Sequence, residues 1–541
     1  MHRRFWFATV VMALAASLLA SSAIAAPSAK KGGTLKGMFA TDADFIDPSL
    51  AYFVHSWQIM GATGANLLRF ADAEGSAGSR LVPELATGFP KVSNSGKTYT
   101  FTIRKGWKFS DNKTPVSAGS FAWAFNRALN SQQQSPAAPF VADIVGAQAV
   151  IDGKARSASG ITARGNTLTI RLTKVAPDFL TRIAMPFFQA MDPKLHPIDA
   201  KGLKAPVHSA GPYYVATWTP NSRLTMKRNP GYKGNRAANV NAIEYDANVN
   251  LDAQVLRIKA GQADFAAEGI SPSAHADLAK QYGINRKNGQ YQVRQVPTTY
   301  YLAMNTTKGI TTNANVRKAV NYAIDRQAML AQRGYLAGKR ADQILPPGIP
   351  GFRDYNIYPM KFTNANLNKA KSLMGSRSGK FLLLSGNRGA SLTIPQIVKF
   401  NLGKIGLDVD VQNLASGPLS AKAGSRNEDF QGILIGWHAD YPDPNNFIDI
   451  LLNGSNIHES NNNNYAYLNV PALNRKMERA AGLTGAKRYS AYSALDLDIS
   501  KNYAPWATYS YANNRDFISS RTGCYSYHPT WGFNLATACV K

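Results

Sequence analysis

The stretch Lys97-Thr98-Tyr99-Thr100-Phe101-Thr102-Ile103-Arg104 alternates polar and apolar residues with period two, which predicts a strand buried on one face. Thr167-Leu172 repeats the pattern seventy residues on. Between them Ser117 precedes Ala118-Gly119-Ser120-Phe121-Ala122-Trp123-Ala124-Phe125-Asn126-Arg127-Ala128-Leu129, whose spacing is helical and whose first residue is a good N-cap. Moving outward, Asn315–Asp325 carries an apolar stripe at helical spacing. Phe381–Leu384 reads as a buried strand, Ile394–Ile405 as a helix and Leu407–Val411 as an alternating strand. Gly432–Gly436 predicts another buried strand, ending where a polar loop begins at Trp437. Strand and helix signals thus alternate without a fixed-period repeat, and the expected class is mixed α/β. Pro346–Gly351 and the run Asn461–Asn464 read as solvated loops.

The N-terminus sets the compartment. Arg3 and Arg4 precede an apolar run, Phe5–Leu19, and Ala23-Ile24-Ala25 forms a small-residue cleavage site, the layout of a secretory signal peptide over residues 1–25. The run is short for a bilayer span, and no cysteine lies near the cleavage site for lipid attachment. The expected product is an exported, soluble periplasmic protein of several packed domains. Formal net charge is +28, yet the basic residues are scattered, with no run longer than pairs such as Lys227-Arg228. That dispersal, with export, argues against nucleic acid as a partner. The two cysteines, Cys524 and Cys539, predict a disulfide in an oxidising compartment. Closing a loop of that size contributes ~3 kcal/mol in the chain-entropy model.

Signatures of catalysis are missing. There is no G-x-S-x-G, H-E-x-x-H or S-x-x-K with K-T-G. Gly96-Lys97-Thr98 mimics the end of a phosphate loop, but Lys91 stands where a glycine is required and Thr98 opens a strand, not a helix. No catalytic residue, metal site or cofactor is assigned. The one catalytic alternative is the carboxylate pair Asp440 and Asp443 in Trp437-His438-Ala439-Asp440-Tyr441-Pro442-Asp443-Pro444, as in a glycoside hydrolase.

At this loop the chain resembles the extracellular solute-binding proteins of peptide ABC importers, solute-binding protein family 5. Its motifs follow in order: Gly33-Thr34-Leu35 and Asp47-Pro48, Leu81–Ala86, then Lys97 through Lys105-Gly106-Trp107-Lys108-Phe109-Ser110-Asp111. Where relatives have Gly after that Asp, this chain has Asn112, which tolerates a left-handed backbone. Gly211-Pro212-Tyr213, Arg228–Tyr232, Gly261–Asp264, Tyr301–Asn305, Val316–Ala319, Ala323–Arg326 and Pro346-Pro347-Gly348 continue the series.

The resemblance implies a two-lobed periplasmic-binding-protein-like α/β fold with an inserted extra domain and a hinge. The first lobe would comprise 26–67, 199–297 and 505–541, with the insertion at 68–198. The second lobe would span 298–504, with crossings near Pro297 and Pro505. It implies a monomer that closes over a short peptide, or over another solute such as a sugar, and delivers it to the membrane permease. ATP is then hydrolysed by other subunits. It also implies the site residues. Asp440 would pair the ligand's ammonium beside Trp437 and Tyr441. Tyr52, Val54 and His55 would form the first-lobe wall. Tyr300 and Tyr301 would lie on a pocket strand, one of them pointing into the core. Nickel is disfavoured because no histidine cluster exists.

Overall fold

The computed structural model describes residues 31–541; the predicted signal peptide lies outside the described residues. In the first lobe, Thr34–Met38 runs parallel to Ala242–Asp246 at the centre of a five-stranded sheet, flanked by Phe265–Ala266, Arg223–Arg228 and Tyr213–Thr219. Gly37 is required there, since a Cβ would stand 2.5 Å from the Tyr245 ring. Leu35, Tyr213, Ile243 and Tyr245 form the core beneath, and the C-terminal tail returns to it through Phe533 and Leu535. Cys524 and Cys539 are joined in that tail with Cα atoms 5.4 Å apart.

The inserted unit contains the stretch that opened the sequence reading. Thr98–Thr102 pairs with Lys91–Ser93 and Thr167–Arg171 in a four-stranded sheet that Ile161–Arg164 completes. Tyr99 and Phe101 point inward while the threonines face outward, as period two demands. The helix Ala118–Leu129 starts in a capping box: the Ser117 hydroxyl accepts from Gly119 N at 3.2 Å, and Ser117 N donates to Ser120 Oγ at 3.2 Å. Asn112 takes the left-handed conformation (φ 56°), while Asp111 accepts from Lys113 N and Thr114 N. Arg127 of the helix reaches Asp47 of the first lobe through two 2.6 Å hydrogen bonds, in a bidentate pair with no exposed surface. A buried pair of this geometry fixes one unit against the other.

The second lobe is a six-stranded sheet in the order Gly338–Arg340, Trp506–Phe517, Tyr291–Met304, Gly432–His438, Gly379–Gly386, Leu407–Leu414. The second and third of these are long antiparallel strands whose far ends, Phe517 and Tyr291, pack with Met38, Val255 and Ile258 of the first lobe. They are the crossings. The register slips between Gln295 and Thr299, around Pro297, whose ring removes a ladder donor. The expected second crossing at Pro505 is corrected by the pairing. Residues 506–511 lie in the second-lobe sheet opposite 299–303, so the crossing that faces Pro297 is at Tyr511–Asn513.

Three further readings change. The strand expected to end at Gly436 continues to His438, with Trp437 opposite Thr299 and His438 opposite Thr298. The helix expected from Ile394 starts at Ala390 and contains Pro395. Proline frees the carbonyl four residues back, and Ser391 O is taken instead by Ser385 Oγ at 2.9 Å and Asn413 Nδ2 at 3.3 Å. The Asn461–Asn464 run is not a solvated loop throughout. Asn462 is buried and bonds His458 N, His458 O and Gly424 O, because an amide carries both donor and acceptor and can staple irregular backbone. No described helix is long and apolar enough to cross a membrane.

Candidate functional site

A cleft of about 820 Å³ lies between the lobes. Its first-lobe wall begins where Asp44 accepts from Tyr52 N at 2.7 Å and Phe53 N at 3.0 Å, holding the chain extended before the helix Val54–Thr63. Tyr52, Val54 and His55 all line the cleft. Phe53 joins them; it is 50% exposed and Val54 43%, so two adjacent apolar side chains open onto the cleft. His55 is buried, its Nε2 donating to Asp42 O at 3.0 Å, and Glu268 stands 3.7 Å from its Nδ1. The Glu268 carboxylate accepts from Ala40 N, Thr41 N and Thr41 Oγ1, which hold it against this wall.

The opposite wall comes from the second-lobe sheet. Tyr300 lines the cleft, and Gly436 lets its ring lie flat on the neighbouring strand, where a Cβ would meet it at 2.5 Å. Tyr301 points the other way, stacked on Trp506 at 3.6 Å between ring centroids in the core. Alternation along one strand decides which tyrosine faces which side. His438 bridges the walls, bonding Thr298 Oγ1 at 2.7 Å and Thr530 O of the C-terminal tail, and burial lowers its pKa. Arg388, in the loop before the Ala390–Gly403 helix, also faces the cleft.

Asp440 follows the end of the Gly432–His438 strand, behind Tyr52. Asn446 organises it: its Nδ2 donates to Asp440 Oδ2 at 2.8 Å, and its Oδ1 accepts from Asp440 N at 2.9 Å and Trp437 Nε1 at 3.0 Å. One fully buried amide thus orients both residues. Burial pushes the Asp440 carboxyl up to about 7, opposed by hydrogen bonds from Asn446 and the Tyr52 hydroxyl. The same pair raises the Tyr52 phenol, through burial first and the Asp440 charge second. Among the described residues no cation lies within ion-pair distance of Asp440.

Asp443, three residues on, differs in kind. Its Oδ1 accepts from Arg488 Nη2 at 2.7 Å and from Asn445 N at 2.9 Å, and its Oδ2 from Arg488 Nε at 3.2 Å. Both oxygens are occupied, so the paired-carboxylate hydrolase reading loses its second acid. Tyr441 is buried in contact with the inserted unit and is absent from the cleft wall. Asn446, Asp44, Phe53 and Arg388 escaped the sequence reading. Asn446 acts through a strand and loop that precede it by six to nine residues, and nothing in the spacing marked it.

Among the described residues no group of three or more His, Cys, Asp or Glu side chains is placed to hold a metal ion.

The profile of the bacterial extracellular solute-binding proteins, family 5 Middle, matches residues 80–459. The oligopeptide-binding protein OppA of Bacillus subtilis is 26% identical over 441 residues, 78% of either chain. The periplasmic murein peptide-binding protein MppA of Escherichia coli is 28% identical over 454 residues, 80% of either chain. The solved structure of that E. coli MppA superposes with a TM-score of 0.78 at 24% identity, over 95% of this chain and 99% of that one; against an unliganded open form of MppA the score is 0.69, at the same identity and coverage. A clavulanic acid biosynthesis oligopeptide-binding protein reaches 0.86 at 22% identity, over 95% and 96%. With its two lobes, its crossing strands and a profile match across more than half its length, this chain belongs to the bacterial extracellular solute-binding proteins of family 5.

Proposed function

We propose that this protein is the extracytoplasmic binding component of an ABC importer, that it captures short peptides between its lobes, and that Asp440 receives the peptide's ammonium. The observation that carries the reading is a buried carboxylate without a cationic partner, set behind a cleft whose own acid, Glu268, is held in the wall by three hydrogen bonds. A buried unpaired carboxylate costs several kcal/mol or stays protonated. An incoming ammonium removes that cost, replacing the Tyr52 hydroxyl as the donor at Asp440. A binding protein needs nothing further from its ligand: the closed state is favoured because only there does the solute touch both lobes.

The lobe assignment proposed with this function keeps 68–198 as the insertion and moves the returning crossing to Tyr511–Asn513. Export through the signal peptide of residues 1–25, release into the periplasm and delivery to a permease belong to the same reading. Relatives named for oligopeptides and murein peptides support it. The test is mass spectrometry of solutes released from the purified protein, followed by calorimetry with the free and N-acetylated forms of one recovered peptide. Recovery of peptides, with tight binding of the free form only, is expected. A single sugar in their place overturns the reading.

A further inference from the structure

The loop that holds Asp440 also enters the inserted unit. Tyr441, the next residue, has no exposed surface, and its ring packs with the inserted unit's apolar cluster. It meets Phe140 edge-on, centroids 6.2 Å apart and planes at 86°. Its hydroxyl faces Asp178 Oδ2 at 3.4 Å across the boundary and Asn445 Oδ1 at 3.0 Å within its own lobe.

The receiving surface is rigid. Arg182 pairs with Asp178 at 3.3 Å and with Asp143 at 2.7 Å, and also donates to Phe140 O at 2.5 Å. Four residues that touch or flank Tyr441 are thereby fixed to one another. Around it the same boundary is open, a crevice of about 760 Å³ running between Asp143 and Asp178 on one side and Asn445 and Asp449 on the other. Tyr441 therefore bridges the boundary beside an open crevice.

Asp440 and Tyr441 are consecutive, and Pro442 and Pro444 limit how the loop can bend. A loop posed for Asp440 to receive a ligand is posed for Tyr441 to enter the inserted unit. We infer that Tyr441 is a positioning residue that latches the second lobe onto the inserted unit and so holds the lobes in the arrangement that poses Asp440 for its ligand. The ligand half of this statement rests on the function proposed above; the latch itself does not. The inserted unit then helps to set how long a solute stays bound, without touching it.

The full chain tests this in the wild type, Tyr441→Leu, Tyr441→Phe and Asp178→Asn. Small-angle scattering of ligand-free protein is expected to show a larger radius of gyration for Tyr441→Leu than for the wild type. Dissociation of a random-sequence tripeptide mixture with free amino termini is expected to quicken roughly ten- to a hundredfold in Tyr441→Leu. Tyr441→Phe, which loses only a hydroxyl, is expected to quicken it about two- to tenfold, with association within about threefold. Asp178→Asn is expected to add little in the Tyr441→Phe background, since both act on one contact. Scattering and dissociation both equal to wild type overturn the latch. So does a lowered melting temperature with unchanged scattering, which marks a packing role instead. If the wild type binds no peptide, the proposed function fails, and the scattering comparison still decides the latch.

Discussion

The two ends of the loop 439–444 bury carboxylates in opposite ways. At the interior end Asp443 is clasped by Arg488, and Arg488 is further held by Ala480 O and Ala481 O, so every charge has a partner inside the fold. At the cleft end Asp440 has an amide and a phenol beside it but no cation. Burial raises the pKa of both, and at Asp443 the Arg488 charge opposes that rise. The first arrangement leaves no charge unpaired inside the fold. The second leaves a buried carboxylate unpaired, the feature on which the proposed ammonium site rests.

The largest expected effect tests the interior end. Asp443→Ala orphans a buried guanidinium and is expected to lower stability by ~3–5 kcal/mol. A melting temperature within a degree of wild type breaks the contrast. At the cleft end, Asp440→Asn keeps the shape and removes the charge. Affinity for a free-amino peptide is expected to fall by ~2–5 kcal/mol, roughly two orders of magnitude or more, without loss of melting temperature. Calorimetry of both variants separates the roles, and equal binding of an N-acetylated peptide by the wild type removes the assignment of Asp440.

Acidity sharpens the comparison. Under the proposed function the ligand's ammonium needs Asp440 ionised, and burial pushes that carboxyl up to about 7. Affinity is therefore expected to fall as pH drops below about 7, by up to about tenfold per unit, and the Asn variant should lack this slope. Stability moves in the reverse sense. A carboxyl raised from 3.8 to about 7 in the fold binds more protons folded than unfolded, so ligand-free stability is lost as pH rises through that window. Asp440→Asn should match wild type near pH 4 and exceed it at pH 8, checked by urea unfolding at both. The smallest effect is expected at Asn446→Ala, which frees Trp437 and Asp440 from their common anchor. A loss of ~1–3 kcal/mol in affinity follows from orphaning those groups, and unchanged binding would mean that the strand end positions them alone.

Much of the fold was legible because its signals are local. Period two in Thr98–Thr102, the Ser117 cap and the apolar stripe of Ala314–Ala323 depend on residues within a turn or two of one another. Where a distant partner decides, the reading slipped. Trp437 looked like a loop start until Thr299 paired with it, and the Pro505 crossing gave way to a ladder that continues to Tyr511. The asparagine run read as solvated because its staple to Gly424 spans 38 residues.

By itself the sequence determined the α/β class, the family and the absence of catalytic signatures, since these follow from composition, period and motif order. Only the tertiary structure decided what each loop residue does. Asp440, Tyr441 and Asp443 are three polar side chains in one short stretch. The chain brings Tyr52 to the first, Phe140 to the second and Arg488 to the third. A buried group's role is set by what shares its low-dielectric surroundings, and those neighbours come from segments that sequence spacing does not bring together.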